Sequence, residues 1–196
     1  MASASLALPL AARAAADVTE VGGVKFDNTV QLGNTKVQLN GAGVRYKAVF
    51  KVYAAGLYLP NKTSTAEAVL AASGPRRLHI VMLREIDANE LGKLFTKGME
   101  QNASRDEFSK VIPGVIKMGE IFSQRKKLAT GEYFTIDYMP GVGSTISVLG
   151  KPAADPIKEP EFFNALMKIW LGKAPADAQL KDALLGVKPA AKDPFN

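Results

Sequence analysis

From Val37 to Pro60 the chain runs V-Q-L-N-G-A-G-V-R-Y-K-A-V-F-K-V-Y-A-A-G-L-Y-L-P, a long apolar stretch with few polar interruptions. Within it, Val49 to Leu59 predicts a strand, because Val, Phe, Tyr and Leu are dense and no 3.6-residue period runs through them. Val49, Lys51, Tyr53, Ala55, Leu57 and Leu59 fall on one side; Phe50, Val52, Ala54, Gly56 and Tyr58 fall on the other. Both sides are largely apolar, which predicts a central strand covered on both faces. Val24 to Phe26, Thr29 to Leu32 and Thr35 to Leu39 are shorter strand-like pieces, the last two joined by a Gly33-Asn34 turn into an edge hairpin. Leu78 to Leu83 is another apolar strand. Glu132 to Tyr138 and Ser144 to Leu149 form a hairpin around the loop Met139 to Gly143.

Helical patterning is confined to two groups. Ser64-Thr65-Ala66-Glu67 reads as a capping box opening a short helix through Ala72, and Gly74-Pro75 closes it. Asp87-Ala88-Asn89-Glu90 opens a helix with Leu91, Leu94, Phe95 and Met99 on one face. Ser104-Arg105-Asp106-Glu107 opens a third, whose apolar stripe is Phe108, Val111, Ile112, Val115, Ile116, Ile121 and Phe122; Pro113-Gly114 is expected to kink or divide it. Glu161 to Leu171 is amphipathic with Gly172 as its stop, and Ala178 to Leu185 is a last short helix. Six to eight strands joined mostly by hairpins, with four or five helices, predict an α+β fold in which a largely antiparallel sheet packs against helices. No glycine-rich nucleotide loop, nucleophile elbow or internal repeat occurs.

At 196 residues and 47% hydrophobic content, one domain with a full core is expected. The sequence has no cysteine and one histidine, which removes disulfide and thiolate chemistry and argues against a zinc site of the usual His/Cys kind. No cofactor is expected. The net charge of +6 suits anionic ligands or anionic membrane surfaces. Its only basic clusters, Arg76-Arg77 and Arg125-Lys126-Lys127, lack interleaved aromatics, so nucleic acid is not an expected partner. Met1 to Ala16, rich in Ala, Leu and Ser, resembles the back half of an export signal and implies a periplasmic or secreted setting. The domain is then expected over 17–187, with a loose tail over 188–196. No stretch is long and apolar enough to predict a transmembrane helix.

Arg45 is the first chemical clue. A guanidinium held beside apolar surface cannot shed its proton and needs an anionic or strongly accepting partner, either a ligand or a protein carboxylate, unless it snorkels to the surface. Tyr53 could join it, but eight residues of straight strand would separate the two by roughly 26 Å, so a turn between them is required. His79 lies inside an apolar strand and is expected to be packed there.

G-A-G-V-R at 41–45 followed by F-K-V-Y-A-A-G-L-Y-L at 50–59 resembles the chalcone isomerase family. The likeness runs on through the helix at 87–102, the hairpin at 131–149 and F-F-N-A-L-M-K-I-W-L-G at 162–172, covering about Gly22 to Gly186. It implies an open-faced β-sandwich: a large antiparallel sheet against a helical layer, with a ligand cleft between. The family's plant isomerases cyclise chalcones using an arginine at the place of Arg45, a threonine in the central strand and a tyrosine beyond it. Here Tyr53 stands at the threonine's place, and no tyrosine lies between Tyr58 and Tyr133, so isomerase activity is not expected. The non-enzymatic branch binds fatty acids through an arginine and a tyrosine, which correspond to Arg45 and Tyr53. Val52, Leu94, Phe95, Phe108, Ile112 and Ile116 are the expected lining of the cleft. An isomerase or lyase on another substrate and a structural domain with a closed cleft are the alternatives. The first needs a base, for which Tyr53, Asp137 and Glu132 are weak candidates. The second requires that Arg45 be paired with a protein carboxylate.

Overall fold

The computed structural model describes residues 17–187; the expected leader remnant at 1–16 and tail at 188–196 lie outside the described residues. The elements are β1 (Val18–Val21), β2 (Val24–Asp27), β3 (Thr29–Leu32), β4 (Thr35–Lys47), β5 (Phe50–Leu59), α1 (Ala66–Ala71), β6 (Arg76–Met82), β7 (Ile86–Asp87) and α2 (Ala88–Asn102). They continue as α3 (Arg105–Ser123), β8 (Lys127–Leu128), β9 (Tyr133–Met139), β10 (Gly143–Val148), β11 (Lys151–Pro152), α4 (Phe162–Leu171) and α5 (Ala178–Leu184).

Seven strands form one antiparallel sheet in the order β11-β10-β9-β6-β5-β4-β3, so the expected central strand, β5, is an interior one. Both of its faces are covered. Tyr53, Ala55, Leu57 and Leu59 join the larger core, with Phe95, Met99, Val111, Met118, Phe122, Leu166 and Trp170 of α2, α3 and α4. Ala54 and Tyr58 join a smaller core on the far face with Phe26, Leu32, Val37 and Leu39, roofed by the β1–β2 hairpin. Gly56 makes that roof fit: a Cβ there would stand 2.8 Å from the Phe26 ring.

Three local expectations change. β4 does not stop at Leu39 but continues through the G-A-G segment to Lys47. The glycines there serve close backbone approach, since a Cβ on Gly41 would collide with the Ala183 carbonyl oxygen and one on Gly43 with the Ala183 methyl. They let the end of α5 lie directly on the strand. Second, α3 runs unbroken through Pro113. Gly114, one residue on, admits Phe162 and Ile157 so closely that a side chain there would overlap them, and this docking holds the turn in place. Third, α1 is capped by Thr65, whose side chain accepts from the Ala68 N–H, rather than by Ser64. The box at Ser104 and Glu107 is formed reciprocally as read.

Candidate functional site

The site begins with a turn that the sequence does not advertise. Lys47 pairs with Phe50, leaving only Ala48 and Val49 to connect β4 to β5. Val49 is therefore in the turn rather than the first strand residue, and Ala48 takes a left-handed φ of 53°. This tight hairpin sets Arg45 directly opposite Tyr53 across the ladder. The separation that a straight strand would impose is closed, and the guanidinium carbon lies 5.6 Å from the centre of the phenol ring.

A bulge then aims the tyrosine. Arg45 pairs with Tyr53 but Tyr46 pairs with Lys51, so Val52 is an extra residue in β5. Strict alternation fails here, and Val52 and Tyr53, neighbours in sequence, both pack in the larger core. The Tyr53 hydroxyl accepts a 2.7 Å hydrogen bond from Trp170 Nε1 of α4. Its own proton has no acceptor among the described residues. Burial pushes the phenol up to about 12, with the Arg45 charge and the Trp170 bond pulling down and Asp177 pushing up. Tyr53 is thus a neutral proton donor at ordinary pH and a poor base.

Arg45 is half-buried. It forms no ion pair among the described residues, and its Nε is buried without a hydrogen-bond partner. Asp177 does not serve it. One carboxylate oxygen of Asp177 accepts from the Tyr46 N–H at 2.8 Å, and the other caps α5 by accepting from the Leu180 N–H at 3.1 Å.

The two side chains open into a cavity of about 300 Å³ between the hairpin and the helices, at the small end of the range for ligand sites. Leu91, Leu94, Phe95 and Gly98 of α2 form one wall, and Ile169 of α4 adds to it. Lys97 and Gln101 are its exposed polar members. The segment Ala174-Pro175-Ala176 closes the outer side. That strap is pinned. Asn102 donates to the Ala174 carbonyl at 2.9 Å and accepts from its N–H at 2.8 Å, and the Ala176 N–H donates to the Ile169 carbonyl at 2.8 Å. Inward of the cavity, Phe95 packs against Trp170, Phe122 and Phe134 with ring centres 5.5 to 6.0 Å apart.

Of the expected lining residues, Leu94 and Phe95 border this cavity; Val52, Phe108, Ile112 and Ile116 do not. Val52 is absorbed by the bulge and Phe108 packs against the main core. Ile112 and Ile116 are 42% and 58% exposed, because the buried face of α3 runs through Val111, Val115, Met118 and Phe122 instead. Trp170, Asn102 and the strap were not anticipated as site features. Trp170 reads as one more apolar position in its helix, and only the fold reveals what its N–H meets.

The remaining polar candidates have structural partners. Asp137 holds Arg77 through two hydrogen bonds of 2.6 and 2.7 Å. Glu132 pairs with Arg125 at 3.1 Å and accepts from the Ala129 N–H. His79 sits edge-on between Phe26 and Tyr133 on the far face of the sheet. Burial, reinforced by the Arg77 charge, lowers its pKa to about 4. It is a packed strand residue remote from Arg45. Among the described residues, no group of His, Asp and Glu is arranged to hold a metal ion, and no helix is long and apolar enough to cross a membrane.

A family model described as chalcone isomerase-like matches residues 18–186. The chain belongs to that family. No curated protein matches it. Among solved structures, the crystal structure of a fatty-acid binding protein from Arabidopsis thaliana is similar, with a TM-score of 0.65. The two share 14% sequence identity over 84% of this chain and 93% of that one, a likeness that shows a common fold. This member of the chalcone isomerase-like family therefore has the large sheet, helical layer and intervening cleft that its sequence motifs imply, and the cleft is suited in size and lining to a small apolar ligand.

Proposed function

We propose that the protein binds a fatty acid or similar apolar carboxylate, with the carboxylate held by Arg45 and Tyr53 and the apolar part against α2. One observation carries this reading: a half-buried guanidinium with no counter-ion among the described residues stands beside a phenol whose proton has no acceptor among them. A carboxylate satisfies both at once, accepting charge-assisted hydrogen bonds from the guanidinium and one from the phenol. Trp170 contributes by occupying the acceptor side of the phenol oxygen, which turns its O–H away from the indole. Each methylene buried against Leu91, Leu94 and Ile169 adds about 0.8 kcal/mol. The similarity to a fatty-acid binding protein favours the same class of ligand. A closed structural domain would have had Arg45 paired with a carboxylate and no cavity. Catalysis is disfavoured because Tyr53 is held protonated and both candidate carboxylates are engaged elsewhere.

The test is native mass spectrometry with organic extraction of the purified protein, followed by titration with saturated fatty acids of increasing length. Wild type is expected to carry or take up a fatty acid. Arg45→Ala should lose about 10- to 100-fold in affinity, as deletion of charged hydrogen bonds does. A wild type that arrives empty and takes up no added fatty acid overturns the reading.

A further inference from the structure

The tip of the β4–β5 hairpin is built against the usual rules. A two-residue turn that needs a left-handed φ normally takes Asn-Gly or Asp-Gly, whereas here Ala48 holds φ 53° and Val49 follows it. Val49 is 84% exposed, Phe50 59% and Tyr46 40%, which places three large apolar side chains at one projecting end. The last two rungs of the hairpin pair Tyr46 with Lys51 and Phe50 with Lys47, so each exposed aromatic faces a lysine. Arg84, from the segment after β6, sets its guanidinium carbon 5.3 Å from the Phe50 ring centre. Lys47, Lys51 and Arg84 are exposed and make no ion pair among the described residues. The nearby carboxylates are engaged: Glu85 with Lys127, and Asp177 with backbone N–H groups.

We propose that this tip docks the protein on an anionic lipid bilayer. Aromatic side chains settle at the headgroup level, a valine at the apex enters the acyl boundary, and basic side chains reach back to lipid phosphates. Cations gathered in a ring around an apolar point match that surface in charge and in depth. A folded protein partner fits less well, since one hairpin tip is far smaller than the roughly 800 Å² that each side of a stable interface contributes. The docking stands independently of the carboxylate reading, although it places Arg45, one rung behind Tyr46, close to the membrane side of the molecule.

The experiment is co-sedimentation of the full chain with extruded vesicles of phosphatidylcholine, with and without phosphatidylglycerol, at low and high salt. Wild type is expected to bind the anionic vesicles and to be released by salt. Lys47→Gln combined with Lys51→Gln should weaken that binding about 25-fold, at about five-fold per charge. Val49→Ser combined with Phe50→Ser should weaken it about ten-fold or more. Both pairs are exposed, and a circular dichroism melt confirms that each variant is folded. Arg45→Ala should lose at most the roughly five-fold of a single charge in vesicle binding even where it has lost fatty-acid binding, which separates the two proposals. No binding to anionic vesicles at low salt overturns the docking, and so does undiminished binding by the Val49/Phe50 variant. Loss of binding on Arg45→Ala alone overturns it too, because lipid would then be held by the cavity. A hairpin-dependent dimer seen without lipid by analytical ultracentrifugation would assign the tip to self-association instead.

Discussion

At the residue scale, Tyr53 has two roles in one side chain, as core aromatic and as polar contact. Replacing it with Phe keeps the ring and deletes the oxygen, which leaves the Trp170 N–H buried with no acceptor. Tyr53→Phe is expected to lose about 1–3 kcal/mol in urea unfolding. Trp170→Phe should cost less in the Tyr53→Phe background than in wild type, since the unpaired N–H is removed with the indole. His79 makes a different prediction. Its folded pKa of about 4 lies below its ordinary 6.5. On acidification the unfolded chain takes up a proton that the folded chain refuses, so stability is full above pH 6.5 and declines between there and about pH 4. The decline attributable to this histidine is about 3 kcal/mol. Thermal melts across that window should show it, and His79→Leu should flatten it. From sequence, Arg45 was legible because a permanent charge in apolar surroundings always demands an account. The Trp170 bond was not, because it joins positions 117 residues apart and both partners read simply as core.

At the scale of elements, patterning identified β5, the β9–β10 hairpin and the helices of the described residues to within a few residues, apart from the break expected in α3. It failed where tertiary contact overrides local signals. The G-A-G segment looks like a break, yet it is mid-strand because α5 presses its backbone there. Gly41→Ala should therefore cost about 1–3 kcal/mol, the usual penalty of overpacking, as the obstructing atoms are carbonyl oxygens with little room to move. Hydrogen exchange should show α5 opening more readily in that variant, ahead of the sheet. The β4–β5 turn was required if Arg45 and Tyr53 were to meet, but its position was not legible: Ala-Val carries none of the usual turn residues. Bulges add a second blind spot. One extra residue at Val52 reverses the alternation on which any assignment of faces depends.

At the scale of the whole molecule, the sheet separates two unequal cores, and the cavity beside Arg45 and Tyr53 lies on the helical face with the larger one. The far face is covered in part by the small β1–β2 roof, with Phe26 seated on the bare backbone of Gly56. The helical face is larger, and its outer margin ends at α2 and a strap held by Asn102. Asn102→Ala removes both bonds to Ala174 and should speed ligand release, with stopped-flow off-rates rising more than association rates. The overall architecture was readable because hairpin spacing and helix grouping are properties of the chain. The cavity was not, since its shape depends on which side chains stop short of filling it.

The polar pair has one more consequence. Arg45 and Tyr53 are carried by nine consecutive residues of one hairpin, whereas the apolar walls come from α2, α4 and the strap. Their relative placement follows from a single ladder register, to which the helices add the Trp170 bond to the phenol oxygen. Substitutions in the helical walls can then drift through many generations, reshaping the hydrophobic half of the cleft, while the Arg45–Tyr53 pairing stays fixed. Such a division lets a lineage change what it selects without first having to reinvent how it holds on.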